Sequence, residues 1–522
     1  MRLKKFVALA CSVAVLAPIP TVAAGPQEQA HDRRHAPLPV REYCRLPEPL
    51  PQLGPERAWQ GQQQQPRVAS SRAMAEPEMA APPPPAPPPP PPPPPSAPVP
   101  GSASSDAVVV TGTRVARSDY ESASPVATVG SESAPVRTSP AIMPPPGRRP
   151  QPRPQSGLLT AGEHDDLLNP ELYARYVHRS NVGQAAQGVP VLDTSRLLTV
   201  ELRDNRGRAM PFETVELRCA DGNTIELRTV ADGTVVFFPE LDRLSDRVWV
   251  RAGGGDWREV VLSQEAGGQD VRITSRRSAQ AVTKLDLNLV IDVTGSMSDE
   301  LRFLQAELTS IIDQLSARHR GLDIRIGFTF YRDQTDAFVT NTHGFDRARG
   351  RMLDVLNQYS AGGGGDYEEA MQEALIRAAG QDWRPDAVKT LLLVADAPPH
   401  DQDIALTWRA AEHLRAERVH IVPVGASGVA DKAEYIMRAM AAATQSRYTF
   451  LTDDSGIGNA HAEPDVDCYL VTRLDQLLRR VIDSQLSGRR IEPEDREVIR
   501  SVGSYDAGRC VLPANWDWRQ QK

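Results

Sequence analysis

Aromatic residues are scarce in this 522-residue chain, where Phe, Trp and Tyr together make up 5% of the sequence. Domains usually hold about 100–200 residues around a core of large apolar side chains, so a chain this poor in them cannot pack along its whole length. The 46 prolines fall mainly before residue 157, which places the folded mass downstream. A long block of one charge is also missing. The net charge of −8 comes from 59 basic and 67 acidic residues interspersed along the chain. No basic run is long enough to neutralise a phosphate backbone, which argues against a nucleic-acid partner.

Long hydrophobic runs are missing beyond the N-terminus. Residues 1–24 combine Arg2, Lys4 and Lys5 with an apolar stretch from Phe6 to Ala17, then Pro18 and Pro20, then small residues at Val22 and Ala24. This is the layout of a secretory signal cleaved after Ala24, and its apolar part is shorter than the roughly 20 residues a membrane span needs. The expectation is an exported protein, periplasmic, envelope-associated or extracellular, with no transmembrane span after signal removal. Cysteine is rare too: there are five, and loss of the signal leaves Cys44, Cys219, Cys468 and Cys510. Export permits disulfides and four cysteines allow three pairings. Cys468 with Cys510 is the favoured bridge, because it would tie a C-terminal tail onto the last domain. No CxxC or Cys/His spacing points to zinc.

Residues 25–157 are rich in Pro, Ala, Ser and Gln and are expected to lack a packed structure. Within them Pro82–Pro95, "PPPPAPPPPPPPPP", predicts a polyproline II rod of roughly 40 Å at about 3.1 Å per residue. The β-branched patch of Asp106–Arg114, "DAVVVTGTR", is suited to adding a strand to a partner's sheet edge. Residues 158–194 form a short helical linker, with Asn169 as helix cap and Pro170 at the first helical position. Residues 195–275 alternate apolar and polar with Asp-Gly turn signals, as in "TVELRCA" and "TIELRTV", and predict a small antiparallel β-sandwich. Residues 284–490 switch to strand–helix alternation. "LDLNLVID", "DIRIGFTFY", "VKTLLLVAD", "VHIVPVGA" and "RYTFLTD" are near-continuous apolar runs, as in a mostly parallel sheet covered on both faces. The fold class is thus α/β, doubly wound, preceded by an all-β module, with residues 491–522 as a C-terminal tail. In such sheets ligands bind outside the carboxyl ends of the strands.

Three carboxylates fall at those ends or in the loops between them. Asp292 closes the first strand and is followed by Thr294 and Ser296, Asp396 closes "LLLVAD", and Asp366 follows the glycines of "AGGGGDYEEA". Carboxylates and hydroxyls converging on one point are hard donors that suit Mg²⁺ best, with Mn²⁺ or Ca²⁺ as alternatives. His400 reads as a rim residue, and Asp453, Asp454 and His461 as an ordinary acidic loop.

These motifs resemble the von Willebrand factor A family, whose metal-ion-dependent adhesion site uses D-x-S-x-S, a loop threonine and an aspartate after a later strand. The resemblance rests on "DVTGS", "YRD" at Tyr331–Asp333, "GGGGDYEEAMQEAL" and "DAPPH", and covers about 200 residues. It implies a divalent cation held by Asp292, Thr294, Ser296, Asp366 and Asp396, with an acidic residue of a protein partner completing the shell. Asp366 stands where the family commonly has threonine. A carboxylate there adds a negative charge worth on the order of 4 kcal/mol at about 4 Å and an effective dielectric near 20, implying firmer metal retention and a weaker pull on acidic ligands.

Two smaller resemblances accompany it. Residues 106–129 are similar to the segment that opens the plug of TonB-dependent receptors, which implies contact with an envelope protein through Asp106–Arg114. The sandwich looks like immunoglobulin-like or transthyretin-like modules of exported proteins. The reading is therefore an exported, metal-dependent protein-binding protein and not an enzyme. The alternatives are a passive envelope linker that binds through its Pro-rich arm and "VVVTGTR", and a phosphatase. For the last, "DVTGS" is similar to the "DKTGT" signature of haloacid dehalogenases and would make Asp292 a nucleophile, but Thr294 stands where those phosphatases carry a second aspartate.

Overall fold

Five apolar runs with no polar face need cover from both sides, and the arrangement of helices in a computed structural model supplies it. The structure describes residues 43–57, 153–180, 182, 188–189, 192–265 and 267–513. The expected signal segment 1–24, the Pro82–Pro95 rod and Asp106–Arg114 lie outside the described residues.

In chain order, β1 (Thr160–His164) and α1 (Pro170–Arg179) come first. Seven short strands follow: β2 (Leu198–Asp204), β3 (Thr214–Arg218), β4 (Thr224–Arg228), β5 (Thr234–Phe237), β6 (Arg247–Ala252), β7 (Arg258–Val261) and β8 (Gln269–Ser275). Next come β9 (Lys284–Asp292), α2 (Leu301–Arg318), β10 (Asp323–Tyr331), β11 (Thr340–Asp346), α3 (Arg349–Gln358) and α4 (Met371–Ala379). The remainder is β12 (Val388–Ala395), α5 (Ile404–Ala416), β13 (Val419–Gly425), α6 (Asp431–Ala443), β14 (Tyr448–Thr452), β15 (Tyr469–Arg473), α7 (Leu474–Ser487) and β16 (Arg500–Val502).

Among the described residues the main sheet has nine strands in the order β11-β10-β9-β12-β13-β14-β1-β15-β16. Its centre, β10-β9-β12-β13-β14, is parallel, and antiparallel strands flank it on both sides. Side chains on successive residues face opposite ways, so Leu391, Leu393 and Ala395 enter one core with α4, α5 and α6. Leu392 and Val394 enter the other with α2, α3 and α7. Each apolar run is thereby buried on both faces.

Strand β1 corrects the expected helical linker of residues 158–194. It sits in the main sheet between β14 and β15, antiparallel to both. "TAGEH" carries no strand signal by itself, because its inclusion depends on what surrounds it. A Cβ at Gly162 would overlap the rings of Phe450 and Tyr469. The buried carboxylate of Glu163 is paired with Arg447 at 2.6 Å and Arg480 at 3.1 Å. Asn169 precedes α1, but its side chain does not cap the helix. Its amide instead donates to the carbonyls of Asp165 and Gly508, and its Oδ1 accepts from the Cys510 amide, so it ties the C-terminal segment down.

The seven short strands make two sheets, β5-β2-β8 and β4-β3-β6-β7, which share one core containing Leu198, Val200, Val215, Leu217, Val248 and Val250. The expectation of a wholly antiparallel module fails at β2 and β8, which run parallel. Disulfides join Cys44 to Cys219 and Cys468 to Cys510. The first anchors residues 43–57, a stretch within the region 25–157 for which composition predicts no packing. Leu50 and Leu53 pack on the core, and Glu56 accepts hydrogen bonds from the amide and hydroxyl of Thr342 on β11. The tail expected from residue 491 contributes β16 to the sheet edge. Among the described residues, no helix is long and apolar enough to cross a membrane.

Candidate metal centre

The parallel strands deliver their carboxyl ends to one rim. Asp292 ends β9 and Asp396 follows β12, and both are buried, at 0% and 2% exposure. Beyond Asp292 the chain folds back on itself. The backbone amide of Thr294 donates to Asp292 Oδ1 at 2.9 Å, and its hydroxyl donates to the same oxygen at 2.7 Å. Thr294 Oγ1 also lies 3.0 Å from Ser296 Oγ, and Ser296 is exposed at the opening. Asp292, Thr294, Ser296 and Asp396 therefore converge on one place.

Asp366, unlike Asp292 and Asp396, is exposed. The glycine loop closes over the strand end, with the Gly295 amide donating to Gly363 O at 3.1 Å and the Gly362 amide to Val293 O at 3.0 Å. Gly363 and Gly364 adopt φ of 87° and 75°, values that other residues rarely take. The Gly364 amide donates to Asp336 Oδ2 at 2.8 Å. Having turned there, the chain leaves Asp366 exposed, with one ligand atom each of Asp366, Asp333 and His400 within 4.8 Å of one another. Three residues on, Glu369 turns inward and is 2% exposed, held by its backbone amide on Pro398 O at 3.0 Å.

The electrostatics follow from this crowding. Burial raises the carboxyl of Asp292 to about 6, only partly offset by the hydrogen bonds from Thr294. Burial and the charge of Asp292 raise Asp396 to about 8. Burial, then the charges of Asp292, Asp333, Asp396 and Asp336, raise Glu369 to about 9. Asp292 Oδ2, Asp396 Oδ1 and Glu369 Oε2 are buried without a hydrogen-bond partner. Buried acceptors are costly in that state. Hard oxygens left unsatisfied at the ends of a parallel sheet fit a divalent cation, whose charge would offset their mutual repulsion.

Residues 286–462 match the model of the von Willebrand factor A domain. The chain carries a von Willebrand factor A domain. An alpha-protein kinase of Dictyostelium discoideum is 26% identical over 137 residues, and a putative ariadne-like RING finger protein of Acanthamoeba polyphaga mimivirus is 32% identical over 124. The alignments cover 26% and 23% of this chain but only 22% and 12% of those relatives. The crystal structure of a conserved hypothetical protein, BatB from Bacteroides thetaiotaomicron, aligns over 39% of this chain and 98% of its own, with a TM-score of 0.27 and 11% identity. Von Willebrand factor A domains commonly mediate protein interaction or adhesion and often hold a divalent cation.

Within the von Willebrand factor A domain, several residues that face the site escaped the motif reading. Glu369 is the most consequential. Its signal was the buried face of α4: Gln372 and Ile376 are buried, and Glu369 lies one turn, three residues, before Gln372, while Glu368 points outward to Lys432. Glu300 carries no comparable signal. It is fully buried, accepts the Ser427 amide, and lies 2.6 Å from His461 Nε2, while His461 Nδ1 lies 2.8 Å from Asp453. These contacts tie the loops after β13 and β14 to the chain just beyond Ser296. Tyr367 ties the glycine loop to the loop after β13, donating to Gly428 O at 2.8 Å and accepting from the Ala430 amide at 3.0 Å.

Proposed function

We propose that the von Willebrand factor A domain is a metal-dependent protein-binding module, that it is not an enzyme, and that the protein works outside the cytoplasm, in the periplasm or cell envelope. The observation that carries the reading is the set of buried, unpartnered oxygens of Asp292, Asp396 and Glu369 beside the exposed hydroxyl of Ser296. Asp292, Thr294, Ser296, Asp396 and Glu369 would hold a divalent cation, Mg²⁺ by preference, directly or through water. Such a cation supplies an electrophilic coordination position to which a carboxylate of a protein partner or a water molecule can bind. The residues of this chain do the rest: they position the donors, keep Asp292 oriented through Thr294, and leave one side open at Ser296.

Binding is favoured over phosphoryl transfer because Thr294, which holds Asp292 by two hydrogen bonds, stands where the haloacid dehalogenase phosphatases carry a second aspartate. The export reading is supported by the composition of residues 1–24 and by two disulfides, which persist in oxidising compartments. The test is capture of partners from envelope extract by the full chain, in EDTA and after Mg²⁺ is restored, comparing wild type with Asp292→Ala. Capture lost in EDTA, regained with Mg²⁺ and missing in the variant is the expected result. Capture indifferent to EDTA and to Asp292→Ala would move the interaction to another part of the chain.

A further inference from the structure

Residues 43–57 form a strap that is seated on the surface as a ligand is, and not woven into the fold. Cys44 is buried and bonded to Cys219, but none of residues 45–57 is buried, and among the described residues no amide of residues 46–57 donates a hydrogen bond. Pro47, Pro49, Pro51 and Pro55 have no amide to donate and keep the strap out of helix and sheet. Side chains on three separate elements hold it instead. Arg409 and His413 of α5 take Glu48, with the guanidinium 2.6 Å from its carboxylate and the imidazole Nε2 2.7 Å from its carbonyl oxygen. Arg377 of α4 donates to Gly54 O and lies 3.4 Å from the Glu56 carboxylate. The amide and hydroxyl of Thr342 on β11 donate to that same carboxylate at 2.9 and 2.6 Å. Between these points Leu50 and Leu53 rest on the core.

The groove is built from elements that the sheet and its cores hold in place without the strap. The side chains of Arg409, His413 and Thr342 make no other hydrogen bond or ion pair among the described residues, so their donors serve the strap alone. We propose that the face bounded by α4, α5 and β11 is a peptide-recognition groove, which residues 45–57 occupy in cis as an autoinhibitory strap. The protein partner it fits carries an extended, proline-spaced acidic segment, with two leucines three residues apart set between two glutamates eight residues apart, as Leu50, Leu53, Glu48 and Glu56 are in the strap.

The chemistry divides between affinity and selection. A proline-rich segment is already extended and loses little freedom on binding, and arginine reads carboxylates by charge-assisted hydrogen bonds. Solvent reaches both ion pairs, so they set register and partner charge, while the leucines supply the affinity. The strap holds the groove by its tether. Cys44 lies four residues before Glu48 and its disulfide keeps the strap at an effective concentration on the order of millimolar, against which the same segment on another chain competes poorly. The groove therefore opens only to a segment that fits it better than the strap does. Arg377 lies eight residues, about two turns, along from Glu369, so this second interface is separate from the first centre at the metal rim.

The test is a binding measurement made in EDTA, so that its result is independent of the first centre. In the full chain, Leu50→Asp with Leu53→Asp unseats the strap while leaving the Cys44–Cys219 bond and the groove as they are. A fluorescent peptide of residues 45–57 is then titrated into this opened chain and into wild type, with anisotropy as the readout. The opened chain should bind the peptide at least about tenfold more tightly than wild type does, and a peptide carrying the same two aspartates should not bind. Adding Arg377→Glu and Arg409→Glu to the opened chain should weaken binding at least about tenfold. Glu48→Lys, confined to the exposed strap, opens the groove by a second route if the double variant does not fold. Binding no tighter in the opened chains than in wild type, or unchanged by the peptide's aspartates or by loss of both arginines, would overturn the assignment and leave residues 43–57 as a structural tie.

Discussion

Replacing Glu369 by glutamine should shift stability in opposite directions with and without Mg²⁺. In the metal-free protein, Glu369 Oε2, Asp292 Oδ2 and Asp396 Oδ1 are buried without partners. A glutamine amide can donate to such oxygens, and one new hydrogen bond contributes about 1 kcal/mol, so the metal-free variant should be as stable as wild type or more so. With metal bound, the variant lacks one anionic donor. A unit charge about 4 Å from a divalent ion is worth on the order of 8 kcal/mol at a dielectric of 20 and about 2 at that of water. Ser296 leaves the rim open, and ordering a carboxylate there has its own desolvation cost, so the net falls toward the lower figure. That corresponds to Mg²⁺ affinity about ten- to thirtyfold weaker.

At an Mg²⁺ concentration near 100 times the wild-type Kd, binding adds about 2.7 kcal/mol to wild type but only about 1 in the variant. For a domain of this size 1 kcal/mol moves Tm by about 2–4 °C, so an Mg²⁺-induced rise of about 8 °C should shrink to about 3–4 °C. Thermal unfolding of the full chain across an Mg²⁺ series, with calorimetric titration for the Kd, gives both numbers. Asp366→Asn should respond as wild type does. An undiminished Mg²⁺ response in Glu369→Gln, or a larger loss in Asp366→Asn, would refute the placement of Glu369 at the first centre.

Two further outcomes follow from the same geometry. Burial by itself would raise the Glu163 carboxyl, but the charges of Arg447, Arg490 and Arg480 outweigh it and hold it at about 2, below its ordinary 4.5. A group depressed in the folded state stabilises fully above its unfolded pKa, here by about 3 kcal/mol, and that contribution fades as pH falls from about 4.5 toward 2. Glu163→Gln should lose about that amount at pH 7 and flatten the acid limb of urea unfolding; a variant within about 1 kcal/mol of wild type would contradict the pairing. Gly363→Ala places a Cβ against the Asp336 carboxylate at a backbone φ of 87°, which should cost about 1–3 kcal/mol and remove the Mg²⁺ response as the loop lifts from Thr294. An Mg²⁺-dependent Tm shift equal to that of wild type would show that the loop is not part of the centre.

The strands β9, β10, β12, β13 and β14 were readable because a strand buried on both faces has to be apolar at every position, and that requirement is written locally. Asp292, Thr294, Ser296 and Asp396 were readable for the same reason, since each follows directly from where such a strand ends. Strand β1 was not, because "TAGEH" joins the sheet only through what lies far away in sequence: the rings that fill the space at Gly162 and the arginines that neutralise Glu163. Nor was the contrast between buried Glu369 and exposed Asp366. Both are acids on one short loop, and which of them turns inward depends on two positive-φ glycines and on a hydrogen bond to Pro398, across the rim. Local sequence determined which strand ends carry donors. Tertiary structure decided which acid reaches them, because a loop's direction is set by the distant groups that satisfy its backbone.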